Sequence, residues 1–341
     1  MRTARTSSTA RGAAALLSLA ALAALPACAR FDPDRPDIVL ILVDTLRADH
    51  LGVYGYRRPT TPRIDRLAAE GAVFDQAWAA APWTLPSTMS IFTGRFPSAH
   101  RVESHDIHLP HEIPTLTESL HARGWRTGGF ASHVYTSRLY GFDRGFQTYD
   151  DFGMSSPDYV HEKGLEPDAE RVTGTALEWL RRQGKEPVFL FVHYFDPHWP
   201  YAAPGGDRDA FPSAYAGPLE ADYDALSKFI DTSVPIPDGY LEFLVNRYDG
   251  EILHTDRQIG RLLDGIAAAG RAGRTWVLLT ADHGEEFRDH GSMGHGRRLY
   301  EEIIRVPLIV SRAATGGAPE AGPARIAIPV SGIDLLPTIL D

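Results

Sequence analysis

The sequence predicts an α/β fold in which a mainly parallel sheet carries helices on both faces. Continuous apolar runs read as strands buried on both sides. Amphipathic helical stretches alternate with those runs, the pattern of strand–helix–strand crossovers. Size and composition agree, since 341 residues with 43% hydrophobic and 23% charged suit one large α/β domain or two ordinary ones.

The first segment is an address. Residues 1–27 carry Arg2, Arg5 and Arg11 and no acid, then run apolar from Ala13 to Leu25. A basic start, a short apolar stretch and small residues before Cys28 form a secretory signal. The stretch is shorter than the ~20 residues that span a bilayer. Leu25-Pro26-Ala27-Cys28 resembles the lipobox of a bacterial lipoprotein. The expectation is export, with the mature chain anchored to a membrane by lipid on Cys28 or else secreted. Residues 28–35 are then a linker, and 36–341 form the main folded domain.

Within that domain, Asp37–Val43 is an apolar run bounded by Pro36 and Asp44 and reads as the first buried strand. Similar runs follow at Pro187–Tyr194, Thr275–Thr280 and Val306–Val310. Helical patterns cover Pro62–Glu70, Thr115–Arg123, Ala169–Arg182 and Tyr240–Ala269, the second opened by the capping box Thr115-Leu-Thr-Glu118. Tyr240, Leu244, Tyr248, Ile252, Ile259 and Leu263 share approximately one face of the last, a packing stripe. Tyr201–Gly239, rich in Pro, Gly, Asp and Ala, reads as a surface excursion over the strand ends, a candidate lid. Ser331–Asp341 is an apolar helical segment, and the expectation is that a C-terminal part is absent.

Charge and cysteine content narrow the function. With 34 basic against 44 acidic residues, the net charge of −10 leaves no basic surplus for nucleic acid. A single cysteine makes no intramolecular disulfide and no thiolate cluster, so a metal must sit among His, Asp, Glu and hydroxyls.

Sheets of this type bind ligands beyond the carboxyl ends of their strands. Asp44, Asp196 and Asp282 each follow an apolar run directly. Asp282 and His283 offer oxygen and nitrogen ligands side by side, and Asp44 supplies a third from a neighbouring strand. Thr84 precedes Leu85-Pro86-Ser87, with Pro86 suited to a first helical turn, so its hydroxyl lies where free N–H groups favour an anion. A divalent ion on Asp44, Asp282 and His283 would activate Thr84 as a nucleophile and neutralise a sulfate or phosphate group. Two carboxylates and one imidazole suit Zn or Mn, with Mg or Ca as alternatives. Taken singly, Asp44 and Thr84 read as helix caps and Asp-His-Gly as a turn. Their conjunction at strand ends is what makes a site.

Those residues resemble the sulfatase family of the alkaline phosphatase superfamily over Pro36–Asp341. The matching stretches are Ile41-Leu-Val-Asp44, Thr61-Pro-Arg-Ile-Asp65 with Glu70-Gly71, Thr93-Gly-Arg95-Phe-Pro97 with His100, Asp196-Pro-His198-Trp-Pro200, Asp282-His-Gly-Glu285, and Tyr300-Glu301 leading to Arg305-Val-Pro-Leu. The resemblance implies an alkaline-phosphatase-like αβα sandwich, a divalent metal, and attack by an activated side chain on a sulfate or phosphate ester. It also implies a smaller C-terminal subdomain, which a chain ending at Asp341 is expected to lack. It places His198 where the family contacts the substrate anion or protonates the leaving oxygen, and His295 near a lysine of similar role.

The departures carry chemical meaning. Sulfatases have Cys or Ser followed by x-Pro-x-Arg and convert the first residue to formylglycine; here those positions hold Thr84 and Thr88. Threonine cannot become the aldehyde. Asp44-Thr45 replaces paired aspartates, and the Lys-Trp-His-Leu-Gly motif is missing around Phe130–His133. A threonine nucleophile resembles the phosphodiesterase and phosphoethanolamine-transferase branches instead. A sulfated threonine is a stable alkyl sulfate, whereas a phosphorylated one is hydrolysed by a second attack at phosphorus.

The expectation is therefore an exported, metal-dependent hydrolase of small-molecule or glycan esters, with phosphoester chemistry slightly favoured over sulfate ester. The alternatives are a phosphoryl-group transferase to lipid or glycan, and a non-catalytic lipoprotein that holds an anionic glycan. Three further readings stand beside it. Asp196, His198 and His295 form a ligand set for a second metal. Arg47 either pairs with the substrate anion or makes a structural salt bridge. His105, His108 and His111 read as a solvated loop.

Overall fold

A computed structural model describes residues 35–155, 166–229, 234–313 and 323–341. The leader, Cys28 and most of the linker lie outside these residues. The main sheet has eight strands: β1 (Asp37–Val43), β2 (Ala72–Phe74), β3 (Arg126–Ala131), β4 (Thr148–Asp150), β5 (Val188–Tyr194), β6 (Thr275–Ala281), β7 (Leu308–Arg312) and β8 (Ala324–Ile326). Their spatial order is β8-β2-β7-β6-β1-β5-β3-β4. β1 runs at the centre, parallel to β5 on one side and β6 on the other, and all seven of its residues are buried.

The predicted strands Asp37–Val43, Pro187–Tyr194 and Thr275–Thr280 are β1, β5 and β6, with ends within a residue. The fourth run divides. Pro307 has no N–H to give a ladder, so Arg305–Val306 pairs with Ala77–Trp78, and Leu308–Arg312 forms β7, antiparallel to β6 and β2. β3 escapes pattern reading because Gly128 and Gly129 occupy its middle. A Cβ on Gly128 would lie 2.6 Å from the Trp179 ring, so the bare backbone is what admits that indole.

Five longer helices, α1 (Pro62–Ala69), α2 (Thr84–Thr93), α3 (Leu116–Ala122), α4 (Ala169–Arg181) and α5 (Tyr240–Ala268), flank the sheet. The capping box forms: Glu118 N–H donates to Thr115 Oγ1 at 3.1 Å, and Thr115 N–H to Glu118 Oε2 at 2.9 Å. Alternation along β5 assigns the layers. Phe191 meets Phe92 of α2 edge-on at 4.8 Å, while Tyr194, of opposite parity, shares a 2.7 Å hydrogen bond with Thr173 of α4. Helices thus cover both faces, as an αβα sandwich requires. The described part of the Tyr201–Gly239 excursion folds on itself, with Tyr201 N–H donating to the Ala221 carbonyl, and is strapped to α5 by Tyr240 Oη donating to the Glu220 carbonyl and Asn246 Nδ2 to the Pro212 carbonyl. No helix among the described residues is long and apolar enough to cross a membrane.

Candidate active site

Because β1 and β6 run parallel in direct register, their carboxyl ends deliver the residues that follow to one spot. Asp44 leaves β1, Asp282 and His283 leave β6, and all three are fully buried. Their ligand atoms lie within 4.8 Å of one another, the one such trio of acids and histidines among the described residues. His283 Nε2 stands 3.5 Å from Asp44 Oδ1 and 3.6 Å from Asp282 Oδ2. His283 Nδ1 is 2.9 Å from the Gly284 carbonyl and donates to it, so Nε2 turns a lone pair toward the carboxylates.

Asp44 Oδ1 and Asp282 Oδ2 have no hydrogen-bond partner. Burial, then Asp282 and Glu285, push the Asp44 carboxyl well above its usual range. Burial likewise raises Asp282 to about 7, against the opposing pull of the His283 N–H, His295 and the Thr45 N–H. Bare buried carboxylate oxygens facing an imidazole lone pair fit a divalent cation, which would supply the missing positive charge.

Thr84 opens α2, where the first N–H groups have no helical acceptor. Its Oγ1 is 3.3 Å from His283 Nε2 and 3.5 Å from Asp44 Oδ2. One turn on, Ser87 Oγ donates to the Asp282 carbonyl at 2.6 Å and ties α2 to the end of β6. Thr45 takes φ 54°, and its N–H points at Asp282 Oδ1, 3.3 Å away. Tyr248 of the α5 stripe does more than pack, donating to the Thr45 carbonyl at 2.7 Å and accepting from Arg47 N–H at 2.9 Å.

A family model for sulfatases matches residues 36–341. The chain belongs to the sulfatase family. It is 25% identical over 347 residues to an uncharacterized sulfatase of Escherichia coli, covering 90% of this chain and 67% of that protein. With an arylsulfatase of Clostridium perfringens it shares 28% identity over 330 residues, 81% of this chain and 68% of the relative. The chain spans 62–68% of the length of three curated relatives it matches. A phosphonate monoester hydrolase of Agrobacterium radiobacter has the same fold, with a TM-score of 0.70 at 20% identity over 89% of this chain and 73% of that one.

In this sulfatase-family chain the other predicted residues fall in three groups. His295 and His198 reach the site. The His295 ring is 4.4 Å from that of His283, and its Nδ1 is 3.0 Å from Glu285 Oε1. Burial opposes charge on His295, but Glu285 and Asp282 outweigh it and raise its pKa. His198, 5.0 Å from His295 ring to ring, donates Nδ1–H to the Trp199 carbonyl at 2.6 Å. Burial pushes its pKa well below the ordinary value, so it stays neutral.

Arg47 and Asp196 are committed elsewhere. Arg47 makes the salt bridges of the structural alternative: Nε and Nη2 hold Asp49 at 2.9 and 2.8 Å, and Nη1 holds Asp289 at 2.9 Å and the Glu285 carbonyl at 3.0 Å. Asp196 Oδ2 accepts from Ala169 N–H at 2.7 Å, at the start of α4. The second ligand set of Asp196, His198 and His295 is therefore not assembled. His105, His108 and His111 are exposed on their loop, with His105 stacked on Tyr135.

Two histidines were missed by pattern reading. His193 Nε2 and His133 Nδ1 lie 3.8 and 3.9 Å from Asp44 Oδ2. A histidine inside an apolar run reads as core. Parity is the signal that finds His193: it alternates with Phe189 and Phe191 onto the α2 face and pairs in register with Leu42, two residues before Asp44.

Proposed function

We propose that this chain hydrolyses sulfate or phosphate esters through attack by Thr84, with phosphoesters favoured. The observation that carries the reading is the Thr84 hydroxyl, 3.3 Å from His283 Nε2 and 3.5 Å from Asp44 Oδ2, at a helix N-terminus beside two bare carboxylate oxygens. Asp44, Asp282 and His283 would hold a divalent cation, which would supply the positive charge that favours the Thr84 alkoxide and neutralises the ester. The unpaired N–H groups opening α2 face the same anion. Thr84 Oγ1, its proton released to solvent, bonds to phosphorus as the bond to the leaving oxygen breaks, and His295, charged against Glu285, gives that oxygen its proton. The neutral His295 then takes a proton from the water that attacks phosphorus, and the bond from phosphorus to Thr84 Oγ1 breaks to return the Thr84 alkoxide.

Phosphorus is favoured over sulfur because this second step is attack at the transferred group. Formylglycine escapes a sulfate ester by elimination, a route closed to threonine. Family membership and the arylsulfatase relative support ester hydrolysis as the class of reaction.

The test is turnover of an aryl sulfate, a phosphate monoester, a phosphate diester and a phosphonate, each with Mn, Zn, Ca or Mg. Thr84→Ala should lower kcat/KM at least ~10³-fold on the best substrate, with Thr84→Ser retaining part. Undiminished turnover in Thr84→Ala overturns the nucleophile. Thr84-dependent turnover confined to the sulfate ester overturns the phosphoester preference, and inertness on every substrate overturns the hydrolase.

A further inference from the structure

The cation site on Asp44, Asp282 and His283 leaves one side of Asp44 unexplained. Oδ1 faces His283, whereas Oδ2 faces Thr84 Oγ1 at 3.5 Å, His193 Nε2 at 3.8 Å and His133 Nδ1 at 3.9 Å. Neither of those nitrogens has a hydrogen-bond partner, and both side chains are buried.

The tautomer of His193 follows from its neighbour. Ser132 Oγ donates its single proton to the His193 carbonyl at 2.7 Å, so at its 3.4 Å contact with His193 Nδ1 the same oxygen accepts. Nδ1 therefore carries the ring proton, and Nε2 directs a lone pair at Asp44 Oδ2. With Asp44 ionised, that is an acceptor facing an acceptor in a fully buried setting. His133 is held by packing, stacked on Phe195 at 4.7 Å and edge-on to Tyr135 at 4.9 Å, so its unpartnered Nδ1 is kept toward the same oxygen. Separations of 3.8 and 3.9 Å are too long for hydrogen bonds. They match the span of two ligands that each sit ~2.1 Å from a shared cation.

We propose a second divalent-cation site formed by Asp44 Oδ2, His193 Nε2 and His133 Nδ1, with the Asp44 carboxylate bridging the two sites. It rests on the proposed reading only through that shared carboxylate. The two imidazoles are not drawn as close to each other as the members of the first trio are. The cation takes Asp44 and His193 as they stand, and His133, on the loop after β3, closes onto it. Two imidazoles and one carboxylate select Zn or Mn over Ca or Mg. The pair of sites brackets the Thr84 hydroxyl, the arrangement in which one cation steadies the attacking oxygen and the other the transferred group. The site also makes sense of a histidine in a central strand, where an aliphatic residue would pack without an orphaned nitrogen.

The test strips the protein of metal, reloads it with Zn²⁺ or Mn²⁺, and counts ions per chain by mass spectrometry after gel filtration. Electron paramagnetic resonance of the Mn²⁺ form reads the distance between ions. Two ions per chain with an exchange-coupled Mn²⁺ signal are expected. His193→Gln and His133→Ala should each bind one ion and give the signal of isolated Mn²⁺, while Asp282→Asn loses the other ion. If one variant does not fold, the second still decides. One uncoupled ion in the wild-type chain, with turnover still dependent on Thr84, overturns the second site and leaves the proposed function standing. Two coupled ions in both histidine variants overturn its location. No bound ion at all overturns both readings.

Discussion

His100 holds α2, the helix that Thr84 opens, from behind, and its protonation state is dictated by its neighbours. Val102 N–H donates to His100 Nδ1 at 3.0 Å, so the ring proton sits on Nε2. That proton is shared between the Pro86 carbonyl at 3.2 Å and Ser90 Oγ at 3.1 Å, Ser90 having given its own proton to Pro86. A second proton would have to enter at Nδ1, directly against the Val102 N–H. Burial lowers the His100 pKa to about 4, against the weaker opposing effect of the Pro86 carbonyl. The unfolded chain takes up this proton near the ordinary value of ~6.5 and the folded chain does not. His100 therefore leaves stability intact above ~6.5 and withdraws it as pH falls toward 4, by about 2 kcal/mol at pH 5. Urea unfolding at pH 8 and pH 5 checks this. The loss on acidification should be about 2 kcal/mol larger in the wild type than in His100→Gln. Equal losses would assign the acid sensitivity to other groups.

At the scale of an element, the exit from β6 decides where the candidate metal ligands Asp282 and His283 point. Gly284 N–H donates to the Ile303 carbonyl at 2.6 Å, and a Cβ on Gly284 would lie 2.0 Å from the Glu302 carbonyl oxygen. Two backbones meet there with no room for a side chain. The Gly284 carbonyl also fixes the His283 tautomer. Gly284→Ala should thus destabilise the fold by ~1–3 kcal/mol and weaken metal binding by ~10–100-fold. Urea unfolding and a metal titration measure the two effects; unchanged metal affinity would show that His283 does not depend on this contact. The Asp-His-Gly tripeptide was legible as a turn after a buried strand, and Asp44 and Thr84 were legible for similar reasons: each sits where a strong local pattern ends or begins. What stayed hidden depends on partners far along the chain. Whether Arg47 pairs with a substrate anion or makes a structural salt bridge stays open in the sequence until Asp289 and Glu285 come back to it. Pro307 splits one apolar run, and only the pairing with Ala77–Trp78 and β6 shows how. His193 looks like core until the neighbouring strand places Asp44 beside it.

At the scale of the whole molecule, the site is where the fold stores its unpaired charge. β1, β3, β5, β6 and α2 all end or begin at the Asp44 carboxylate, so the packing that builds the sheet also buries Asp44 and Asp282 without a counter-ion. The metal-free chain carries that penalty in its folded state, because unfolding returns both carboxylates to water. A cation that binds only the folded chain offsets it by mass action, about 4 kcal/mol at a thousandfold excess over its Kd. Chelation should therefore lower the Tm of the wild-type chain, and readdition of Zn²⁺ or Mn²⁺ should restore it. Asp44→Asn separates the two contributions. Removing one of the two facing carboxylates should leave the metal-free variant more stable than the metal-free wild type, while the upshift in Tm on adding metal shrinks or vanishes. Thermal unfolding of both proteins at pH 8, with chelator and with each metal, reads the comparison directly. If Asp44→Asn melts below the wild type in chelator, the carboxylates are held by other groups and the penalty assigned to them is wrong. If it melts above, the sheet has been giving up stability to keep a charged site open at its centre.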